Sequence, residues 1–316
     1  MRTAKTTRTG GSARSRAATA EWEIARRVLR RARRGLLRRA GVVGVDLGIK
    51  RQAGRLLPGP AICIHVERKL LDAELPSRRR LPERIGGFPV DVVESRFRAG
   101  AACPTAGATH RTRLDPLIGG CSIGRFGETE FGTLGLIVDG PQGERGGLTC
   151  AHVCAADDDV RQPHRLGASV GVVAADQLDE DIDAAFVSFS GARPSLPSVL
   201  EAGPIASSPL EIDPTRLPIP VVMAGACSGK TLGLVVSVDF HGILEYPEGP
   251  RFVRDQLRVE PATDAVFARG GDSGAAVVRE GQVVALLIAA NQPELGGAGI
   301  ATPIARVLSR LNVSLP

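Results

Sequence analysis

Aromatic side chains are scarce in this 316-residue chain: they make up 3% of it, with one tryptophan and one tyrosine. A core short of rings must be filled by Val, Ile, Leu and Ala. With 38 glycines and 22 prolines to interrupt the elements, that core is expected between short strands and turns, which argues against a helical bundle. No apolar run approaches the roughly 18 residues of a membrane span. The N-terminus also lacks the apolar stretch of a secretory signal, so cytoplasmic residence without a membrane partner is the expectation. An Arg- and Ser-rich start is shared with organelle transit peptides, but Glu21 and Glu23 argue against that reading. The six cysteines, Cys63, Cys103, Cys121, Cys150, Cys154 and Cys227, are too scattered for a disulfide scaffold and are expected to be reduced.

The formal charge of +6 is unevenly placed. Residues 1–40 hold 13 Lys and Arg against 2 acids, a net +11, which leaves −5 for the remainder. The basic character therefore belongs to one segment, and nucleic acid is an unlikely partner for the rest of the chain. Residues 1–18 have no apolar periodicity and are expected to form a disordered basic tail. Thr19 has the chemistry of an N-cap, with Glu21 and Glu23 in the first turn. The helix expected from there to about Arg39 carries Ile24, Val28, Ala32 and Leu36 on one stripe with Ala25 and Leu29 beside it. Such a stripe packs on a sheet while the arginines face water. Without interleaved aromatics it offers no stacking platform for single strands.

Val42–Val45, Ala61–Val66 and Phe88–Val93 read as strands, giving a small α+β domain over residues 19–95. Residues 96–116 read as a linker. From residue 117 to 316, short apolar runs recur between turn signals: Thr133 to Val138, Ser169 to Val173, Ala184 to Phe189, Thr231 to Phe240, Ala275 to Val278 and Val283 to Ile288. That spacing implies a sandwich or barrels. After Pro303, the residues Ile304, Val307, Leu308 and Leu311 form the stripe of a closing helix.

Within this region lies Gly270-Gly271-Asp272-Ser273-Gly274. A serine in a glycine-lined turn can present its hydroxyl to a bound carbonyl while nearby backbone N–H groups face the oxygen that becomes negative. Upstream stand Leu148-Thr149-Cys150-Ala151-His152 and Asp181-Ile182-Asp183-Ala184-Ala185-Phe186. The three stretches, in the order His, Asp, Ser, resemble the signatures of the trypsin-like (chymotrypsin-fold) serine proteases. Gly120-Cys121-Ser122-Ile123-Gly124, Gly132-Thr133-Leu134-Gly135, Gln162-Pro163, Gly229-Lys230-Thr231 and Thr302-Pro303-Ile304 narrow the likeness. They point to the intracellular bacterial relatives of the plant narrow-leaf-type proteases. Cys150 departs from the commoner small residue, and Val153 stands where secreted trypsins carry a disulfide cysteine.

The resemblance implies a mainly β fold of two antiparallel β-barrels behind the small α+β domain, and a serine endopeptidase acting on protein or peptide substrates. It implies His152 as general base, Asp183 as its orienter, Ser273 as nucleophile, and Gly271 and Ser273 as oxyanion donors. Asp183 is preferred over Asp181 because the family pattern places a small residue two positions after the carboxylate, and Ala185 fills it. Phe267 occupies the position that sets primary specificity, so cleavage after uncharged, small or apolar residues is expected. No cofactor and no metal is required, activation without zymogen cleavage is expected, and a homo-oligomer is left open.

Two other motifs compete. Cys150, His152, Cys154 and His164 could be zinc ligands, but their close spacing sits inside the histidine motif. Ala224-Gly225-Ala226-Cys227-Ser228-Gly229-Lys230-Thr231 fits a loose phosphate-loop pattern, yet the Val- and Leu-rich run that follows is strand-like, whereas a phosphate loop opens a helix. The rival functional classes are a non-catalytic peptide-binding or scaffolding protein on the same fold, and nucleic-acid binding through the basic helix.

Overall fold

The short apolar runs are strands, and pairing between them dominates the computed structural model, which describes residues 10–70, 76, 79–100, 103 and 109–316. Seven antiparallel strands form the first sheet. Their spatial order is Gly132–Leu134, Cys121–Arg125, Asp159–Gln162, Ala168–Leu178, Asp183–Phe189, Arg145–Thr149 and Leu136–Asp139. The two edge strands are separated in sequence by Gly135 alone, so the sheet curls until its edges approach. Ile123, Leu134, Ile137, Val160, Val173 and Val187 fill the enclosed space.

Six further strands wrap into a near-closed barrel. Ile219–Gly225, Ala276–Arg279, Gln282–Asn291, Gly299–Pro303, Gly249–Pro261 and Gly229–Tyr246 pair in that order, and the last pairs back onto the first. The C-terminal helix, Ile304–Leu311, buries Ile304, Val307 and Leu311 against strand Gln282–Asn291, matching the expected stripe.

The 18-residue strand Gly229–Tyr246 is too long for the barrel alone. Its second half pairs antiparallel with Val42–Gly48, with Gly44 opposite Gly242 and Leu47 opposite Val238. Ala61–Val66 and Phe88–Glu94 extend the same sheet. Residues 19–95 and 117–316, set apart by composition, thus share one sheet. They also share one apolar core, in which Leu29, Leu47 and Ile64 meet Val235, Phe267 and Leu287.

Four expectations change. The helix begins at Gly10 and runs to Leu37, so residues 10–18 are helical, while residues 1–9 of the expected tail lie outside the described part. Arg16, Ala17 and Ala18 are good helix formers, and Thr19 donates to the Ser15 carbonyl one turn back, at 3.0 Å, inside the helix and not at its cap. The buried stripe is Trp22, Ala25, Leu29 and Leu36, whereas Ile24 is 45% exposed. The apolar face is rotated because Trp22, outside the expected stripe, contributes the largest apolar surface; each such side chain contributes about 1.5–3 kcal/mol on burial. Finally, the expected linker is anchored. Phe97–Arg98 pairs with the long strand at Glu245 and with Gln282–Asn291, and Cys103 is disulfide-bonded to Cys227. The fold brings these two cysteines, 124 residues apart, to a Cα–Cα distance of 5.9 Å, so the thiols expected to be reduced include one bonded pair.

A buried charge network holds the N-terminal strands to the barrel. Asp46 Oδ2 accepts from Arg258 Nε at 2.8 Å and lies 2.9 Å from His65 Nε2, while His65 Nδ1 lies 2.7 Å from Ser95 Oγ. Arg258 also pairs with Glu260. Burial alone would raise the Asp46 pKa, but Arg258 and His65 outweigh it and hold the carboxyl below its usual range.

Candidate active site

Ser273 sits between two left-handed glycines, Gly271 and Gly274, both at φ +92°. No other residue takes this turn without strain. Space enforces the same choice, since a Cβ on Gly271 would come 2.8 Å from the Phe131 ring and one on Gly274 would come 2.4 Å from the Thr133 carbonyl. The Gly132–Gly135 segment runs directly behind this turn: Thr133 N donates to Ser273 O at 2.8 Å, and a Cβ on Gly135 would lie 2.0 Å from Gly274 O. Among the described residues, the backbone N–H groups of Gly271 and Ser273 donate to no protein acceptor, whereas Asp272, Gly274 and Ala275 all do. Two unsatisfied donors flanking a serine are what a developing oxyanion requires.

His152 follows strand Arg145–Thr149, and Asp183 begins strand Asp183–Phe189, which pairs with it. Asp183 Oδ2 lies 2.5 Å from His152 Nδ1, and Asp183 Oδ1 accepts from the His152 backbone N–H at 3.2 Å. Both side chains are 1% exposed. A carboxylate only accepts, so Nδ1 carries a proton, and in the neutral imidazole the lone pair is on Nε2. Nε2 is buried and has no hydrogen-bond partner among the described residues. Ser273 lies against the segment that carries the histidine, since Gly274 abuts Thr149 and the Ser273 carbonyl and Val153 both abut Gly132. Its hydroxyl does not bond Nε2, and Ser273 is 4% exposed.

Asp181 goes elsewhere. Arg254 donates to it twice, at 2.6 and 2.9 Å, and these hydrogen bonds lower its pKa. The two aspartates are separated because the strand begins only at Asp183.

Asp272 is fully buried without a cationic partner among the described residues, and burial raises its pKa. Hydrogen bonds oppose that rise: Ser228 Oγ at 2.6 Å, and the backbone N–H groups of Cys227, Ser228 and Arg269 at 2.8 to 2.9 Å. The phosphate-loop-like stretch is the turn between strands Ile219–Gly225 and Gly229–Tyr246. Its N–H groups cradle this carboxylate, and a Cβ on Gly225 would collide with it.

Phe267 is completely buried, its ring pressed on Gly233 and Gly299, with its own N–H bonded to the Gly297 carbonyl. Cys150 donates to the Leu287 carbonyl at 3.2 Å, and burial together with nearby Asp183 pushes its pKa far up. The donor atoms of Cys150, His152 and Asp183 lie within 4.8 Å of one another, but that thiol is held protonated and already bonded. His164 stacks on Phe131 at 4.3 Å.

Two neighbours of His152 were not legible. Tyr246 stands edge-on to the imidazole at 5.5 Å, and its rank as the one tyrosine was the available signal. Gly100, at φ +66°, sits where a Cβ would be 3.6 Å from His152 Cδ2; no sequence signal marks it.

Neither a protein-family model nor a curated protein matches this sequence. Solved structures do. A glutamic-acid-specific serine protease that uses a histidine triad in substrate binding is 20% identical, covering 63% of this chain and 100% of its own, with a TM-score of 0.52. Protease A of Thermobifida fusca is 22% identical over 63% of this chain and 98% of its own, with a TM-score of 0.51. The fold is therefore one shared with chymotrypsin-type serine proteases.

Proposed function

We propose that the protein is a two-barrel serine endopeptidase of the trypsin-like class. The observation that carries this reading is the Asp183–His152 pair set against a Gly271–Ser273 turn whose two N–H groups are unsatisfied. Ser273 Oγ attacks the scissile carbonyl, and His152 Nε2 takes its proton. Asp183 holds the imidazole and stabilises the imidazolium, and the Gly271 and Ser273 N–H groups receive the oxyanion, each worth roughly 3 kcal/mol of barrier. The histidine then protonates the leaving amine, and water hydrolyses the acyl-enzyme by the same route. Substrates are proteins or peptides, cleaved after uncharged small or apolar residues.

The test is labelling by a fluorophosphonate probe. The adduct should map to Ser273, and Ser273→Ala should abolish labelling and peptide cleavage while leaving circular dichroism unchanged. An adduct on another serine defeats the assignment.

A further inference from the structure

The arginines of helix Gly10–Leu37 divide into two sets. Arg26 is used by the fold: it donates to Asp239 on the long barrel strand at 2.7 Å and to Glu23 at 2.8 Å. Arg33 is half-buried. By contrast Arg27, Arg30, Arg31 and Arg34, with Arg38 in the turn just past Leu37, are exposed. Among the described residues, none of these five forms an ion pair or a side-chain hydrogen bond. At 3.6 residues per turn they span an arc of roughly 100°, on the side opposite to buried Trp22, Ala25, Leu29 and Leu36. The one acid on that arc is Glu23, already bonded to Arg26. Arg39 Nη2 then donates to the Arg80 carbonyl at 2.9 Å, and exposed Arg79 and Arg80 continue the basic surface beyond the helix.

This arrangement works against the helix that carries it. Arg27 faces Arg30 and Arg31, and Arg34 faces Arg30, Arg31 and Arg38, all at i,i+3 or i,i+4, where like charges destabilise a helix. The macrodipole favours cations only in the last turn, where Arg34 stands, so it does not account for Arg27 or Arg30. A bound polyanion would remove the repulsion along the whole stripe.

The chemistry of that partner follows from what the surface has and lacks. Every cation from residue 10 to residue 40 is an arginine, whose planar fork pairs bidentately with phosphate. Insertion into a lipid surface needs apolar side chains beside the cations, and among the described residues Ile24 is the one large apolar side chain of the helix that is exposed. Single strands need rings to stack on, and the helix's one aromatic residue, Trp22, is buried. A helix about 10–12 Å across matches the roughly 12 Å major groove of B-form DNA, whereas the major groove of an A-form duplex is too narrow to admit it. We propose that the exposed arginine face of helix Gly10–Leu37 is a docking surface for double-stranded DNA. Arg27, Arg30, Arg31, Arg34 and Arg38 hold the phosphates, without reading bases. The net −5 of residues 41–316 favours this face over the rest of the molecule.

Binding is read from the fluorescence anisotropy of a labelled DNA duplex titrated with full-length Ser273→Ala protein, so that the result does not depend on the peptidase reading. Five phosphate contacts predict a loss of affinity of roughly 500-fold between about 50 and about 200 mM salt. The triple variant Arg27→Gln/Arg31→Gln/Arg34→Gln should cut that loss to about tenfold. Arg55→Gln/Arg113→Gln/Arg145→Gln, which removes the same charge from exposed sites elsewhere, should leave it unchanged. The urea midpoint of the first variant should not fall, because glutamine keeps the helix and relieves the repulsion. Absence of binding at low salt, an unaltered salt dependence in the first variant, or an equal effect of the second overturns the proposal. So does a fall in the urea midpoint, which would assign the arginines to the fold. Equally tight binding of single-stranded DNA, an RNA duplex or polyglutamate would also overturn it, by making the surface a general anion binder.

Discussion

Asp183 grips His152 with both oxygens, one on the ring nitrogen and one on the same residue's backbone N–H. The carboxylate therefore fixes the imidazole's tautomer, its rotation and the chain that carries it. Asp183→Asn preserves the shape but can donate from one side, which favours the wrong tautomer; turnover of a peptide substrate is expected to fall by roughly four orders of magnitude. Asp181→Asn loses only surface pairings with Arg254 and Arg310 and is expected to stay within a few-fold of wild type. The opposite ranking, with both variants folded by circular dichroism, would move the orienting role to Asp181.

Glycines give a sharp contrast in stability. A Cβ on Gly135 would lie 2.0 Å from a backbone oxygen in the turn that carries Ser273, so neither partner can yield cheaply. Gly135→Ala is expected to cost about 3 kcal/mol or more by overpacking. In the helix, Gly35 has nothing within 4 Å, and Gly35→Ala should add about 0.5–1 kcal/mol. Urea midpoints of the two variants should move in opposite directions; a neutral Gly135→Ala would mean that the two segments are not in contact.

At the junction, Arg258→Met leaves the Asp46 charge buried with His65 as its remaining partner, and should cost about 3–5 kcal/mol. The sign with pH follows from the depressed Asp46 pKa. Its contribution is fully present above the unfolded value near 4 and is lost as pH falls below it, because the unfolded chain takes up the proton first. Asp46→Asn should therefore flatten the acid limb of a stability profile taken from pH 7 to pH 3. An unchanged limb would show that other carboxylates govern acid unfolding.

Primary specificity should reflect the buried Phe267 ring, which packs on Gly233 and Gly299 and brings no charge to that position. Asp264 is exposed and lines a separate cavity of about 400 Å³ with Arg51, Arg258 and Asn291. A peptide library should show small or apolar residues at the cleaved position. Dominance of Arg or Lys would refute this.

What could be read from the chain was what is local. The Gly271–Gly274 turn and the closing helix follow from short-range spacing and side-chain size. What escaped depends on tertiary placement. Nothing local to Cys103 or Cys227 says that they meet, and nothing at Gly100 says that it lies on His152. The helix stripe was misplaced because sequence periodicity cannot weigh one tryptophan against several small apolar residues. The linker reading failed because Phe97–Arg98 gains its order only from strands about 150 and 190 residues further on.

The long strand Gly229–Tyr246 carries a consequence for any attempt to trim the molecule. Removing residues 1–95 would strip Val42–Gly48 from its flank, leaving the backbone groups of residues 237–242 as an open edge beside bare Val235, Val238 and Phe240. Such an edge recruits other strands. A shortened chain would pair with its own copies, which makes the N-terminal segment a built-in guard against self-association.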